Sequence, residues 1–218
     1  MTCCGHCRDA GDFFNDKTSK RDLRRFNRRG PAKPTRLLIE SIARHDIRGH
    51  TLLDVGGGIG AIQLELFKKG LSSSINVDAS HAYQSVSNKA VEATGNSDKA
   101  VYHFGDFTDL ADNLPMADVV TLDKVICCYP DVNKLLHKSL NKTERIYALV
   151  FPRVTIIAKA AFLLGNLWFR IRKSNFRTYL HPVREVVSLI RSHGFERQTH
   201  RKTFFWHIMT FERGSKSV

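Results

Sequence analysis

The sequence predicts an α/β fold: a mainly parallel sheet of seven strands, with an antiparallel final strand and helices on both faces. Three observations carry this. Residues 51–60, Thr-Leu-Leu-Asp-Val-Gly-Gly-Gly-Ile-Gly, read as a buried strand, a tight glycine loop and the start of a helix. Apolar runs then alternate with helix-length amphipathic stretches as far as Phe151, the pattern of parallel strands joined by crossover helices. The chain ends in two strand-like runs, 195–200 and 204–211, with only a short basic turn at Arg201-Lys202 between them. Neighbouring strands without a crossover helix pair antiparallel or lie apart.

Taken in order, residues 1–16 form a leader that carries cysteines and ends in Phe13-Phe14-Asn15. Residues 17–36 hold nine basic side chains, Lys17 to Arg36, with Leu23 and Phe26 three apart. They predict a helix over 19–28, capped by Ser19 and stopped by Gly30-Pro31. Pro34 opens a second helix through Ile42-Ala43, with Leu37, Leu38 and Ile42 as its apolar stripe. Both helices are expected at the ligand edge of the sheet. After the glycine loop a helix carries Ile62, Leu64, Leu66 and Phe67. A strand over 73–77 ends in Asp78, and 80–94 is helical in pattern. A third strand, 101–104, ends at Gly105-Asp106, and a fourth, 117–122, runs into Asp123 and the turn Cys127-Cys128-Tyr129-Pro130. Asp131 or Asn133 caps a helix over 135–140. Strand five is 146–151, and a helix over 183–193 closes on Gly194.

Residues 154–171 stand apart. They are rich in Ile, Leu and Phe, include Trp168, and are flanked by Arg153, Arg170, Arg172 and Lys173. The stretch has nearly the length of a membrane span, but Lys159 suits hydrocarbon badly. It is read as a buried lid helix, as a helix lying in a membrane interface, or as a dimer contact. The chain accordingly divides into a leader and basic helix (1–36) covering the active site, and a catalytic domain (37–218) with 152–182 as lid or membrane-facing insertion.

Composition bounds the partners. The chain has 218 residues, 42% hydrophobic and 25% charged, enough for one α/β domain with a full core. A net charge of +13 favours an anionic small molecule, an anionic membrane surface or nucleic acid. Nucleic acid is disfavoured, because no basic module interleaved with aromatics is present. The N-terminus lacks an apolar signal region, and five clustered cysteines do not make a disulfide framework. A cytoplasmic setting is expected.

The glycine loop lies where cofactors bind, at the carboxyl end of a strand. Gly56, Gly58 and Ala61 also satisfy the dinucleotide pattern G-x-G-x-x-G/A, so a nicotinamide enzyme is the competing reading. Asp54, two residues before the first glycine, is poorly placed for a pyrophosphate and well placed for a cation. The stretch closely resembles motif I, Asp-x-Gly-x-Gly-x-Gly, of class I S-adenosylmethionine (SAM)-dependent methyltransferases. That resemblance implies a Rossmann-like methyltransferase fold with SAM as cofactor. Asp54 would then face the amino group and sulfonium, while Gly56, Gly58 and Gly60 admit the amino-acid moiety and ribose. Asp78, at the spacing of the ribose-binding acid in α/β cofactor folds, would take the ribose hydroxyls. Asp106 would meet the adenine amino group, with Phe107 against the ring. Acceptor residues are expected after strand four, at Asp123, Lys124, Cys127, Cys128 and Tyr129. An Asn/Asp-Pro-Pro-Tyr/Phe run is missing, which disfavours amino-methylating nucleic-acid enzymes.

A narrower likeness follows. Residues 122–130, Leu-Asp-Lys-Val-Ile-Cys-Cys-Tyr-Pro, are similar to the Leu-Asp…His-Tyr-Pro segment of magnesium-protoporphyrin O-methyltransferases. Phe13-Phe14-Asn15, the basic helix and His181-Pro182 are similar in placement. The resemblance implies an anionic, apolar small-molecule acceptor methylated at oxygen, with Asp123, Cys128, Tyr129 and His181 as catalytic candidates. Phe13 and Cys128 stand where that family carries Tyr and His. Metalloid or RNA methylation and a non-catalytic SAM-binding module at a membrane are the remaining alternatives. Cys3, Cys4, His6 and Cys7 form a second cluster; Cys4-x-x-Cys7 has metal-ligand spacing, and the cluster is read as a plain leader, a metal or metalloid site, or a redox pair. No metal is assigned.

Overall fold

The computed structural model describes residues 13–214. Seven strands form one sheet: β1 (Thr51–Val55), β2 (Ser73–Asp78), β3 (Ala100–Phe104), β4 (Ala117–Asp123), β5 (Thr143–Pro152), β6 (Phe195–Lys202) and β7 (Trp206–Arg213). Their order across the sheet is β3-β2-β1-β4-β5-β7-β6. The first five pair in parallel, and β7 runs antiparallel to both β5 and β6. This is the expected architecture. The strand order reverses at β1, with β2 on one side and β4 on the other, and such a switch point opens a crevice above the strand ends.

Alternation along the strands builds two cores. Leu52, Val119, Ile146, Ala148 and Val150 face one side, packed under α2 (Lys33–Ile42) and α3 (Ala61–Phe67). Leu53, Val120, Tyr147, Leu149 and Phe151 face the other, against α6 (Val132–Asn141) and α8 (Val183–Ser192). Successive side chains of a strand point to opposite faces, so both faces of the central strands must be apolar to be covered by helices. The other helices are α1 (Asp16–Arg29), α4 (His81–Glu92), a short α5 (Phe107–Leu110) and α7 (Ile156–Ile171).

Some local expectations are corrected. α1 starts at Asp16, capped by Asn15, whose side chain accepts from the Lys17 and Thr18 amides. Ser19 is buried inside the helix, its hydroxyl turned back to the Asp16 carbonyl at 3.1 Å. Arg201 and Lys202 belong to β6, and the turn follows at 203–205, closed by Thr203 and Trp206. Of α7 only Ala158 and Phe169 are buried. Ile156, Leu163, Leu164, Trp168 and Ile171 are exposed, Ile156 by 86%, which disagrees with a buried lid helix. No helix among the described residues is long and apolar enough to cross a membrane. Cys3, Cys4, His6 and Cys7 lie outside the described residues.

Candidate active site

The ends of β1, β2 and β4, the loop after β3 and the α1–α2 connection surround one cavity of about 460 Å³, a size typical of small-molecule sites. Asp54, Gly56, Gly58, Asp78, Asp106, Phe107, Asp123, Cys128 and Tyr129 all line it. Gly60 sits just behind, capping α3 in the left-handed conformation (φ 75°). His181 is not among the described lining residues; its Nε2–H donates to the Ile126 carbonyl at 2.9 Å, bracing the turn Ile126–Cys128 from outside. Burial lowers its pKa.

The glycine loop is fitted from below. A Cβ on Gly57 would stand 2.2 Å from Asn76 Nδ2 and 2.9 Å from Asp54 Oδ2, both on buried side chains. Side-chain size, more than backbone angle, therefore keeps Gly57. The motif's spacing of 56, 58 and 60 does not single it out.

Asp54 is 1% exposed. One of its oxygens accepts from the Thr121 hydroxyl at 2.6 Å. Among the described residues, its Oδ2 and both polar atoms of Asn76 have no hydrogen-bond partner. Unpaired buried polar atoms are costly; of these two residues Asp54 lines the cavity and suits a cationic guest, whereas Asn76 lies behind Gly57. Burial, with Asp123 and Asp78 adding repulsion, pushes the Asp54 carboxyl up to about 7 against the pull of the Thr121 bond. A cationic ligand would favour the carboxylate and reverse that shift.

Asp78 is held differently. Gly58 N–H donates to Oδ2 at 2.9 Å and Ser80 N–H to Oδ1 at 2.8 Å. A carboxylate has about four acceptor sites, so even with the Ala79 N–H that also bears on it Asp78 keeps capacity for a hydroxyl of a vicinal diol. Burial raises its pKa to about 6, with the backbone bonds opposing.

At the β3 side, Asp106 caps α5 and accepts from Thr108 N–H at 2.8 Å and from the Tyr129 hydroxyl at 2.7 Å. Phe107 beside it is 4% exposed. Tyr129 thus stands with Asp106, apart from Asp123, and the turn after β4 spans the cavity. At the opposite side Asp123 accepts from Lys124 Nζ at 2.8 Å and from the Thr35 hydroxyl at 2.6 Å. The Cys128 thiol lies 3.7 Å from that of buried Cys127, and the neighbouring thiol with burial raises the pKa of Cys127.

The cover was not legible residue by residue in the sequence. Tyr83 of α4 donates to Asp22 of α1 at 2.6 Å, and Ser80 donates to the Phe14 carbonyl at 2.6 Å. Phe14 packs edge-on against Tyr83 and Phe176. Phe14, Phe26 and Phe176 make an apolar wall. Among residues 152–182, Phe176 lines the cavity. Among the described residues, no cluster of three or more His, Cys, Asp or Glu could hold a metal ion.

The acids follow the sheet. Along β3-β2-β1-β4 come Asp106, Asp78, Asp54 and Asp123, from strands about 4.8 Å apart. The site fits SAM on the structure's own terms: an orphaned carboxylate oxygen for the cation, a doubly anchored carboxylate for a diol, and a buried aromatic beside an acid for a purine.

A family model described as O-methyltransferase domain matches residues 9–150. No curated protein matches the chain. Among solved structures, the magnesium protoporphyrin IX methyltransferase from Synechocystis PCC 6803 with bound S-adenosylhomocysteine (SAH) superposes with a TM-score of 0.71 at 18% identity, over 94% of this chain and 98% of that one. An O-methyltransferase family 2 protein from Planctomyces limnophilus in complex with apigenin gives 0.61 at 17%, over 85% and 63%. A putative RNA methyltransferase from Pyrococcus horikoshii gives 0.60 at 14%, over 87% and 86%. At these identities the structural likenesses establish the fold. The family match excludes the nicotinamide alternative: the chain belongs to the O-methyltransferase domain family, and is a methyltransferase enzyme with S-adenosylmethionine as its cosubstrate.

Proposed function

We propose that the enzyme methylates an oxygen of an anionic, rather apolar small molecule, with a porphyrin-like carboxylic acid as the leading acceptor. One observation carries this reading: three acids suited to SAM follow one another across the sheet, the polar cluster of Asp123, Lys124 and Thr35 lies beyond Asp54, and an apolar cover of Phe14, Phe26 and Phe176 closes the same cavity. The neighbour that acts on magnesium protoporphyrin IX covers almost its whole length, which supports the porphyrin guess.

When bound, SAM supplies an electrophilic methyl carbon; the acceptor oxygen bonds to it as the C–S bond breaks, and the electron pair stays on sulfur. The protein's work is alignment and exclusion of water. Asp54 would face the cation, Asp78 the ribose, and Asp106 with Phe107 the adenine. An acceptor carboxylate is already ionised at neutral pH, so no base is required at that oxygen. Asp123 and Cys128 then position the acceptor, while Tyr129, bonded to Asp106, belongs to the adenine side. His181 braces the turn that carries Cys128 and Tyr129.

Of the segment 1–36, the described residues 13–36 act as a cover, and 152–182 act as a membrane-facing insertion. The exposed apolar face of α7, with Arg153, Lys159, Arg170, Arg172 and Lys173 at its margins, suits an anionic bilayer. Two copies meeting through this face would bring like charges together. An apolar acceptor held in lipid would lie close to the cavity, because Phe169 of α7 packs on Phe176 of its wall.

The test is a transfer screen with methyl-labelled SAM across porphyrins, aromatic acids, arsenite and RNA. The proposal expects label in porphyrin or aromatic carboxylates; label confined to RNA or arsenite would overturn it. Sedimentation with phosphatidylserine vesicles at low salt tests the bilayer contact, and protein left in the supernatant would refute it.

A further inference from the structure

Among the described residues, five carboxylates line the cavity, Asp22, Asp54, Asp78, Asp106 and Asp123, against two basic side chains, Arg25 and Lys124. A cavity so acidic suits a cationic cosubstrate and repels an anionic acceptor unless a cation meets it. Lys124 lies on the side of the cavity that the SAM reading leaves to the acceptor. It follows β4, the next strand beyond β1 and Asp54, on the side away from Asp78 and Asp106.

Its backbone is unusual. Lys124 has φ 66°, one of two non-glycine residues with positive φ among those described. Its N–H is fixed to the Val150 carbonyl at 2.9 Å. A left-handed residue with a long side chain is strained where Gly or Asn would sit at less cost. The gain is directional: the side chain turns back into the cavity. Nζ reaches both oxygens of Asp123 and the hydroxyl of Thr35, each at 2.8 Å, and lies 5.9 Å from the Trp206 ring centre. Its side chain is 31% exposed and that of Asp123 14%, so the pair is half-desolvated yet open to the cavity. Thr35 also donates to Asp123, and would keep that carboxylate bonded if the lysine turned away.

We propose that Lys124 anchors the acceptor carboxylate, exchanging its Asp123 and Thr35 partners for the acid to be methylated. The proposal rests on the reading of the acceptor as an anion and deepens it. It also carries a release step. Esterification leaves the methylated group neutral and moves no proton, so the lysine loses the counter-charge of that group and returns to Asp123. Substrate is held and product is not, by one ion pair.

The test compares binding of protoporphyrin IX and its dimethyl ester to the full chain loaded with SAH, followed by porphyrin fluorescence. Wild type should prefer the free acid by about tenfold or more. Lys124→Asn, which tolerates the left-handed backbone, should lose that preference while SAM affinity by calorimetry stays within about threefold. Lys124→Arg should keep most of it. A preference retained in Lys124→Asn, or absent in wild type that binds both porphyrins, overturns the anchor. Wild type that binds SAM but neither porphyrin overturns the porphyrin reading, and the anchor with it.

Discussion

Tyr83 donates its hydroxyl hydrogen to Asp22 across 2.6 Å, joining a helix that follows the second strand to a helix that precedes the sheet. The bond closes α1 over the cofactor cavity, and the Ser80–Phe14 bond beside it closes the segment before α1. A bond to a charged acceptor contributes about 1–2 kcal/mol where it is partly exposed.

Tyr83→Phe should therefore open α1 about 5–30-fold more often. α1 is rich in Lys and Arg, so trypsin reports the opening directly: cleavage in α1 should accelerate by that factor and be suppressed by SAH. Unchanged cleavage would mean that apolar packing alone holds the cover.

Asp54 gives a pH signature. Its carboxyl titrates near 7 in the fold and near 4 in the unfolded chain. A raised carboxyl pKa means that the folded state holds the proton more tightly. Its contribution to stability is complete below about pH 4, falls as pH rises, and levels off above 7. His207, which burial lowers to about 4, contributes with the opposite slope, so the informative quantity is a difference. The Tm of Asp54→Asn minus that of wild type should grow from pH 4 to 7. In the same window SAM binding to wild type should tighten with pH and release a proton, seen as a buffer-dependent calorimetric enthalpy.

Gly57→Ala should be severe. The new methyl would sit 2.2 Å from a buried Asn76 nitrogen, and such overpacking costs about 1–3 kcal/mol. Urea denaturation should register that loss, with SAM affinity falling more than about tenfold. Gly165, within α7, has nothing within 4 Å of its Cβ position. Gly165→Ala should stabilise the protein by about 0.5–1 kcal/mol, a control for the helix and the method.

On α7, Leu164 is 66% exposed. If this face enters a bilayer, Leu164→Ser forfeits about 1–2 kcal/mol of burial, and partition into phosphatidylserine vesicles should fall roughly 5–30-fold. Its effect on Tm should be small.

Much of this arrangement is legible in the sequence because strands buried on both faces must be apolar throughout and must end where water begins. Asp54, Asp78 and Asp106 mark those ends, and the glycines mark the loop. Asp22 and Tyr83, by contrast, are joined by a fold-level contact across 61 residues, and no local pattern announces it. Tyr129 reads as a companion of Asp123, yet its hydroxyl reaches Asp106 because the short turn after β4 crosses the cavity. His181 reads as a catalytic candidate within reach of the acceptor, but its Nε2 is spent on a backbone carbonyl. The apolar content of α7 is equally that of a core helix or a surface anchor; only packing, with Ala158 and Phe169 as its buried contacts, separates them. Ser19 and Asn15 are both good capping types, and the choice between them depends on which way the preceding chain enters.

The most direct test of the central claim follows labelled methyl from SAM onto protoporphyrin. The account predicts alkali-labile label, a methyl ester, formed by wild type and lost about a hundredfold or more in Asp78→Ala, where the bond to Gly58 and the diol partner both go. Wild type that binds SAM but places no label on a carboxylate oxygen would contradict it, as would full activity in Asp78→Ala.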